Sequence, residues 1–176
     1  GAGRASRREA QVRSATGPLL VAVLVAGCSA SHIENGVFYS TKGFQVSLPP
    51  QSWAVKPGGP AELELQRGDP AGGMLADATC DDKTAGRPLN VLSRHLTFGL
   101  KDRVVEDGGT LTVDGRPAQR SVVRGSLDGT AVGVEAVVIK GQRCVYDFLY
   151  VAPAASFETG RGDFRAFVDS FSGGDK

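Results

Sequence analysis

Histidine, methionine and tryptophan are scarce in this 176-residue chain, which holds two His, one Met and one Trp. Imidazole chemistry therefore rests on His32 and His95 alone, and His32 lies in a polar stretch apart from the patterned region. No G-x-S-x-G elbow, H-E-x-x-H, phosphate-binding P-loop or C-x-x-C occurs, so the sequence carries no signature of a serine hydrolase, zincin, nucleotide hydrolase or dithiol oxidoreductase. No apolar run approaches the roughly 20 residues that a membrane-spanning helix requires. No internal repeat is visible, and glycine, although frequent at 24 residues, falls at turns rather than in a low-complexity tract. Charge of neither sign dominates, with 20 Lys and Arg against 19 Asp and Glu. No catalytic centre, metal site, cofactor or nucleic-acid partner is expected from these absences.

What is present at the start is a graded segment. Arg4, Arg7, Arg8 and Arg13 form a basic region, residues 18–26 carry no charge, and Ala26-Gly27 precedes Cys28. Basic, apolar and small-residue parts in that order make a secretion signal. Val25-Ala26-Gly27-Cys28 resembles the lipobox of bacterial lipoproteins. The resemblance implies a cleaved leader at 1–27 and a diacylglycerol thioether on Cys28. Two or more acyl chains hold a protein on a bilayer where one does so only marginally. In a cell with two membranes, Ser29 rather than Asp at the next position is compatible, by the same resemblance, with sorting to the outer membrane, facing the periplasm. Residues 28–176 carry 16 basic and 18 acidic side chains, a formal charge of −2, so the slight basic excess belongs to the leader. One domain is expected over 37–172, joined to the lipid by a polar tether at 28–36.

Along that domain, Phe38-Tyr39-Ser40 and Phe44-Gln45-Val46-Ser47-Leu48 read as strands around a Lys42-Gly43 turn. Residues 62–66 alternate clearly and 74–80 more weakly. Pro88 opens a predicted helix carrying Leu89, Leu92, Leu96 and Leu100, with Gly99 as its stop. Strands follow at 110–113, 119–124, 132–140 and 143–151. Asp107-Gly108, Asp114-Gly115 and Asp128-Gly129 are read as the turns that separate them, because glycine accepts positive φ without strain. The two last strands are the most apolar and are expected to be central. Phe164, Phe167, Val168 and Phe171 make one apolar stripe on a closing helix, whose firm part is placed near Arg161 because Gly160 and Gly162 weaken the turn before it. Strands, helix, strands, helix in that order predicts an α+β fold, an antiparallel sheet with helices on its faces.

The opening Tyr39-Ser40, Gly43-Phe44-Gln45-Val46-Ser47-Leu48-Pro49 and Trp53 is similar to that of PsbP-like domains, as is the closing helix with its Ser170-Phe171 end. The resemblance implies an α-β-α sandwich; it implies no catalytic residues and no photosynthetic role.

Candidate site residues are few. Asp147 shares a face with Val145 and Leu149 on a strand expected to be central, where a carboxylate needs polar partners: a nearby Arg or backbone amides, or else a ligand. Arg120 and Arg124 fall on one strand face, as an anion site or a solvated face. His95 shares a helix face with Val91 and Phe98 and reads as a helix-surface or edge-of-core histidine. Cys80-Asp81-Asp82 reads as a solvated turn rather than a metal site. With Cys28 lipidated, Cys80 and Cys144 remain as an even pair, which fits a disulfide in an exported domain; two separate buried thiols are the alternative. The functional expectation is a membrane-anchored binding or assembly module with a protein partner in the envelope. The alternative is a small-ligand carrier or enzyme with a pocket between helix and sheet. A pocket joining Asp147, His95 and an Arg would favour the alternative.

Overall fold

Wherever an Asx-Gly pair lets the chain reverse, the alternating segments of the computed structural model, which describes residues 30–174, become paired strands. In chain order the elements are β1 (His32–Glu34), β2 (Val37–Tyr39), β3 (Phe44–Ser47), β4 (Ala54–Val55), β5 (Leu63–Arg67) and β6 (Gly72–Thr79). Two helices follow, α1 (Asp82–Ala85) and α2 (Leu89–His95). Then come β7 (Lys101–Val113), β8 (Arg116–Leu127), β9 (Thr130–Lys140), β10 (Val145–Pro153), α3 (Phe157–Asp169) and β11 (Ser172–Gly173). Seven strands form one antiparallel sheet in the order β4-β5-β6-β10-β9-β8-β7, and β1-β2-β3-β11 form a smaller one. The fold is α+β, with β9 and β10 inside the large sheet as their apolar composition requires. Among the described residues no helix is long and apolar enough to cross a membrane.

Asp114-Gly115 and Asp128-Gly129 take positive φ at both positions and close the β7-β8 and β8-β9 hairpins. Asp107-Gly108 does not turn. It lies inside β7, where the register with β8 slips between Val105 and Asp107. An edge strand tolerates such an irregularity, and here glycine serves space rather than φ. A Cβ on Gly108 would sit 2.9 Å from the Arg120 carbonyl oxygen. Asn35-Gly36 is a third positive-φ pair, closing β1 onto β2. The stretch read as tether is therefore strand and turn from His32 onward.

The helices also depart from the periodic reading. α2 ends at His95, so Leu100 is not helical and Gly99 does not stop the helix. The acidic pair after Cys80 starts a short helix instead of lying free: Asp81 caps α1, its carboxylate accepting the Thr84 N–H at 2.8 Å. α3 begins a turn earlier than Arg161, at Phe157. Gly160 is needed there, since a Cβ would meet the Tyr150 hydroxyl at 2.4 Å. Tertiary packing outweighs the roughly 1 kcal/mol helix penalty of glycine.

The main core lies under α3. Phe157, Phe164, Phe167, Val168 and Phe171 are all buried against Tyr146, Phe148 and Tyr150 of β10. Phe148 meets Phe167 and Phe171 edge-on, at centroid distances of 5.4 and 5.8 Å. Trp53 closes one end of this core. Its indole N–H donates to Asp163 on α3 at 2.9 Å, and the buried Arg67 guanidinium lies 4.5 Å above its ring. The opposite face carries a smaller cluster, Leu92 of α2 on Val138 and Val145, with Leu89 and Leu96 beside it. Register decides the disulfide. Thr79 pairs with Val145, which brings Cys80 and Cys144 to a Cα–Cα distance of 4.0 Å, and the two are bridged.

Candidate functional site: the open half of the sheet

α2 is only seven residues long, and it packs on β8 and β9 and the start of β10. Among the described residues, no helix packs over the rest of that sheet face. There Leu75 pairs with Leu149, and both are half-buried, as is Val151. With Val132 they line a concave groove of about 440 Å³, which Lys56, Glu64 and Gln66 also line. The groove is open on one side and predominantly apolar. Its volume falls within the ~300–1,000 Å³ usual for small-molecule sites.

One step further along the same two strands, Asp147 stands directly opposite Asp77. Directly paired residues hold their Cβ atoms about 4.5–5.5 Å apart, so like charges there repel. Burial, and then the charge of Asp77, pushes the Asp147 carboxyl up to about 6. The expected arginine or backbone partner for Asp147 is not what the strand register delivers; it delivers a second carboxylate. Lys42, whose Nζ is 3.8 Å from Asp77 and 2.8 Å from Glu62, supplies the nearby positive charge. Its ammonium also donates to the Ala78 carbonyl, at the part of β6 that runs beyond β5.

Arg120 and Arg124 share a face, as the alternation implies, and it is the face under α3. They are neutralised there. Arg120 bonds Glu135 at 2.6 Å and Asp107 at 2.8 Å, while Arg124 bonds Glu106 at 2.9 Å and Glu158 at 3.3 Å. Glu135, 1 % exposed, also accepts from Arg161 of α3 at 2.8 Å. The network fastens α3 to β8 and β9, and every arginine in it faces at least one carboxylate. Arg120's hydrogen bond holds the exposed Asp107 carboxyl below its ordinary range. His95 lies exposed at the end of α2. The groove joins none of His95, Asp147, Arg120 and Arg124. Among the described residues no three His, Cys, Asp or Glu side chains gather as a metal site. Cys28 and the leader lie outside the described residues.

Sequence reasoning passed over Asp77, Glu135 and Arg67. Asp77 sits in a weakly alternating strand, and only the register puts it beside Asp147. Glu135 had a legible signal: a lone acid within the apolar run Val132-Gly133-Val134-Glu135-Ala136-Val137, where a charge needs a partner.

No family model matches the chain, and no curated protein matches it. Solved structures do. LpqN, involved in cell envelope biogenesis of Mycobacterium tuberculosis, aligns at TM-score 0.60 and 15% identity, over 74% of this chain and 84% of its own. PsbP (CyanoP) of Synechocystis sp. PCC 6803 aligns at TM-score 0.55 and 10% identity, over 83% and 98%. A protein of Bacteroides thetaiotaomicron aligns at TM-score 0.58 and 9% identity over 82% of this chain, which spans only half of that protein's length. Identities this low speak to the fold alone. The α+β architecture, with its antiparallel sheet and flanking helices, is PsbP-like.

Proposed function

We propose that the chain is a lipid-anchored envelope protein whose domain is a non-catalytic binding or assembly module. Cys28 carries the lipid, and the open half of the sheet is the contact surface. The observation that carries this reading is the asymmetry of the two faces: α3 seals one, whereas α2 leaves Leu75, Leu149 and Val151 uncovered around an apolar groove. A face of this kind, rimmed by polar residues, is the usual form of a protein or ligand contact. The fold likeness to LpqN, an envelope-biogenesis protein, supports the compartment. The lipobox supports attachment, and the Cys80–Cys144 bridge agrees with an oxidising location. In a cell with two membranes, Ser29 after Cys28 is compatible, by resemblance to other lipoproteins, with outer-membrane placement facing the periplasm.

The groove volume favours one second reading, a carrier of a small apolar ligand. A photo-crosslinking residue at Leu149 separates the two in intact cells. Adducts to one envelope protein support the module, and low-mass lipid or metabolite adducts support the carrier. If only non-specific adducts form, matching those from a control position on the exposed face of α3, the groove is not the contact surface. Cys28→Ala should release the protein from membranes; unchanged processing and retention would end the lipoprotein reading.

A further inference from the structure

On the lipid-anchored reading, the few residues between Cys28 and Ser31 limit how this domain can sit. β1 is hydrogen-bonded to β2 in the register His32 with Tyr39, Ile33 with Phe38 and Glu34 with Val37. The His32 ring stacks on Tyr39 at 5.1 Å. Ser31 is held as well, its hydroxyl accepting the Thr41 N–H at 3.2 Å. Three chain steps separate Cys28 from Ser31, and at full extension they reach about 10 Å. A lipid on Cys28 therefore keeps Ser31 within about 10 Å of the lipid-bearing residue, at or just above the headgroup layer.

The surface next to Ser31 is mixed, with exposed apolar tips at Ile33 and Val55 and the carboxylates of Glu62 and Glu64, which pair with Lys42 and Lys56, further in. A groove of about 300 Å³ is lined by Ser31, His32, Ile33, Val55, Lys56 and Pro57, among others. Ile33 and Val55 are each 43% exposed. Lys56 extends beside them, 60% exposed and only loosely paired with Glu64 at 3.9 Å. Apolar tips beside an exposed ammonium fit the boundary between acyl chains and anionic headgroups. Val55 belongs to β4, one edge of the large sheet, and β7 is the other edge. Six inter-strand spacings put those edges about 29 Å apart. Among the described residues, the other exposed large apolar side chains, Phe98, Val104, Val105 and Leu127, lie in or beside the β7-β8 hairpin at that far edge.

We propose that the β1-β4 end of the domain docks on the bilayer through Ile33, Val55 and Lys56, which holds the β7 edge away from the membrane. The proposal rests on the lipid-anchored reading above and deepens it. Docking fixes the orientation of the domain, and so the direction from which an envelope partner approaches the open sheet face.

The test uses the full lipidated chain in vesicles of phosphatidylethanolamine and phosphatidylglycerol with brominated acyl chains. A bimane is placed at Val55→Cys or at Val105→Cys, both exposed positions outside the core. Quenching at position 55 should exceed that at 105 several-fold. I33D should reduce the quenching at 55 without releasing the protein from the vesicles. Equal quenching at both positions, or stronger quenching at 105, in protein that sediments with the vesicles overturns the docking and leaves the anchor intact. Protein that fails to sediment with the vesicles overturns the anchored reading and the docking together.

Discussion

The two faces of one sheet are built for different purposes. Under α3, side chains from β8, β9 and β10 are buried in an aromatic core and in the Arg120–Glu135–Arg161 network. Under α2, three buried residues form the core cluster, and the face then opens into a groove and a pair of carboxylates. Buried packing is concentrated on the first face, and the second is left partly open. The contrast teaches that a short second helix is what leaves a sheet of this kind a usable surface.

The sharpest way to break that contrast is to compare Phe167→Ala with Leu149→Ala. Phe167 is 1 % exposed against Phe148, so its truncation should cost about 3–5 kcal/mol. Urea unfolding measures this directly. A loss for Phe167→Ala no larger than that for Leu149→Ala would mean that the faces do not differ.

The disulfide comes next. The bridge spans a sequence separation of 64, and on the chain-entropy model its removal costs about 4 kcal/mol. Cys80→Ser with Cys144→Ser should lower the melting temperature, and non-reducing mass spectrometry of exported protein should find no free thiol at either position in the parent.

A somewhat smaller loss is expected at Glu135. Removing its charge leaves Arg120 and Arg161 facing each other while only partly exposed, so Glu135→Ala should cost about 2–3 kcal/mol. Arg161→Met, which removes one side of the pair, should cost less. The reverse order would place the energy in packing rather than in charge.

On the open face the effect has the opposite sign. The Asp147 carboxyl in the folded protein titrates at about 6, above the ordinary carboxylate range. The stability it contributes is therefore fully present below about pH 4 and is lost as the pH rises through about 6. Asp147→Asn should leave stability unchanged at pH 4 and raise it by up to about 3 kcal/mol at pH 8. Thermal melts across that range decide it, and parallel profiles for parent and variant would remove the buried carboxylate from the account. Leu149→Ala, half-buried over the groove, should cost about 1 kcal/mol and show instead in the yield of cross-linked adducts.

Much of this was legible along the chain. Period-two alternation located the strands, Asp114-Gly115 and Asp128-Gly129 marked their reversals, and Phe164, Phe167, Val168 and Phe171 announced the buried face of α3. These signals are local, since an apolar stripe or a positive-φ pair needs no distant partner to have its effect. The even pair Cys80 and Cys144 left a bridge or two buried thiols open, and the register of β6 with β10 decides for the bridge. Misreadings arose where a local rule met a tertiary one. Asp107-Gly108 has a turn's composition, but β8 holds it in a strand. Gly160 weakens a helix start, but Tyr150 requires the space. Residues 32–34 are too polar and too few to read as a strand without β2 beside them.

The sequence by itself determined the α+β class, the central pair of strands and the helix that seals one face. Each follows from periodicity or from short-range order. Tertiary structure alone decided what stands opposite what. It put Asp77 across from Asp147, Glu135 between two arginines, and Leu75 beside Leu149 under open solvent. Such pairings depend on strand register, which no single segment encodes. Register is set by the turns and the buried face together, and a slip of one residue would send every one of these side chains to the other side of the sheet.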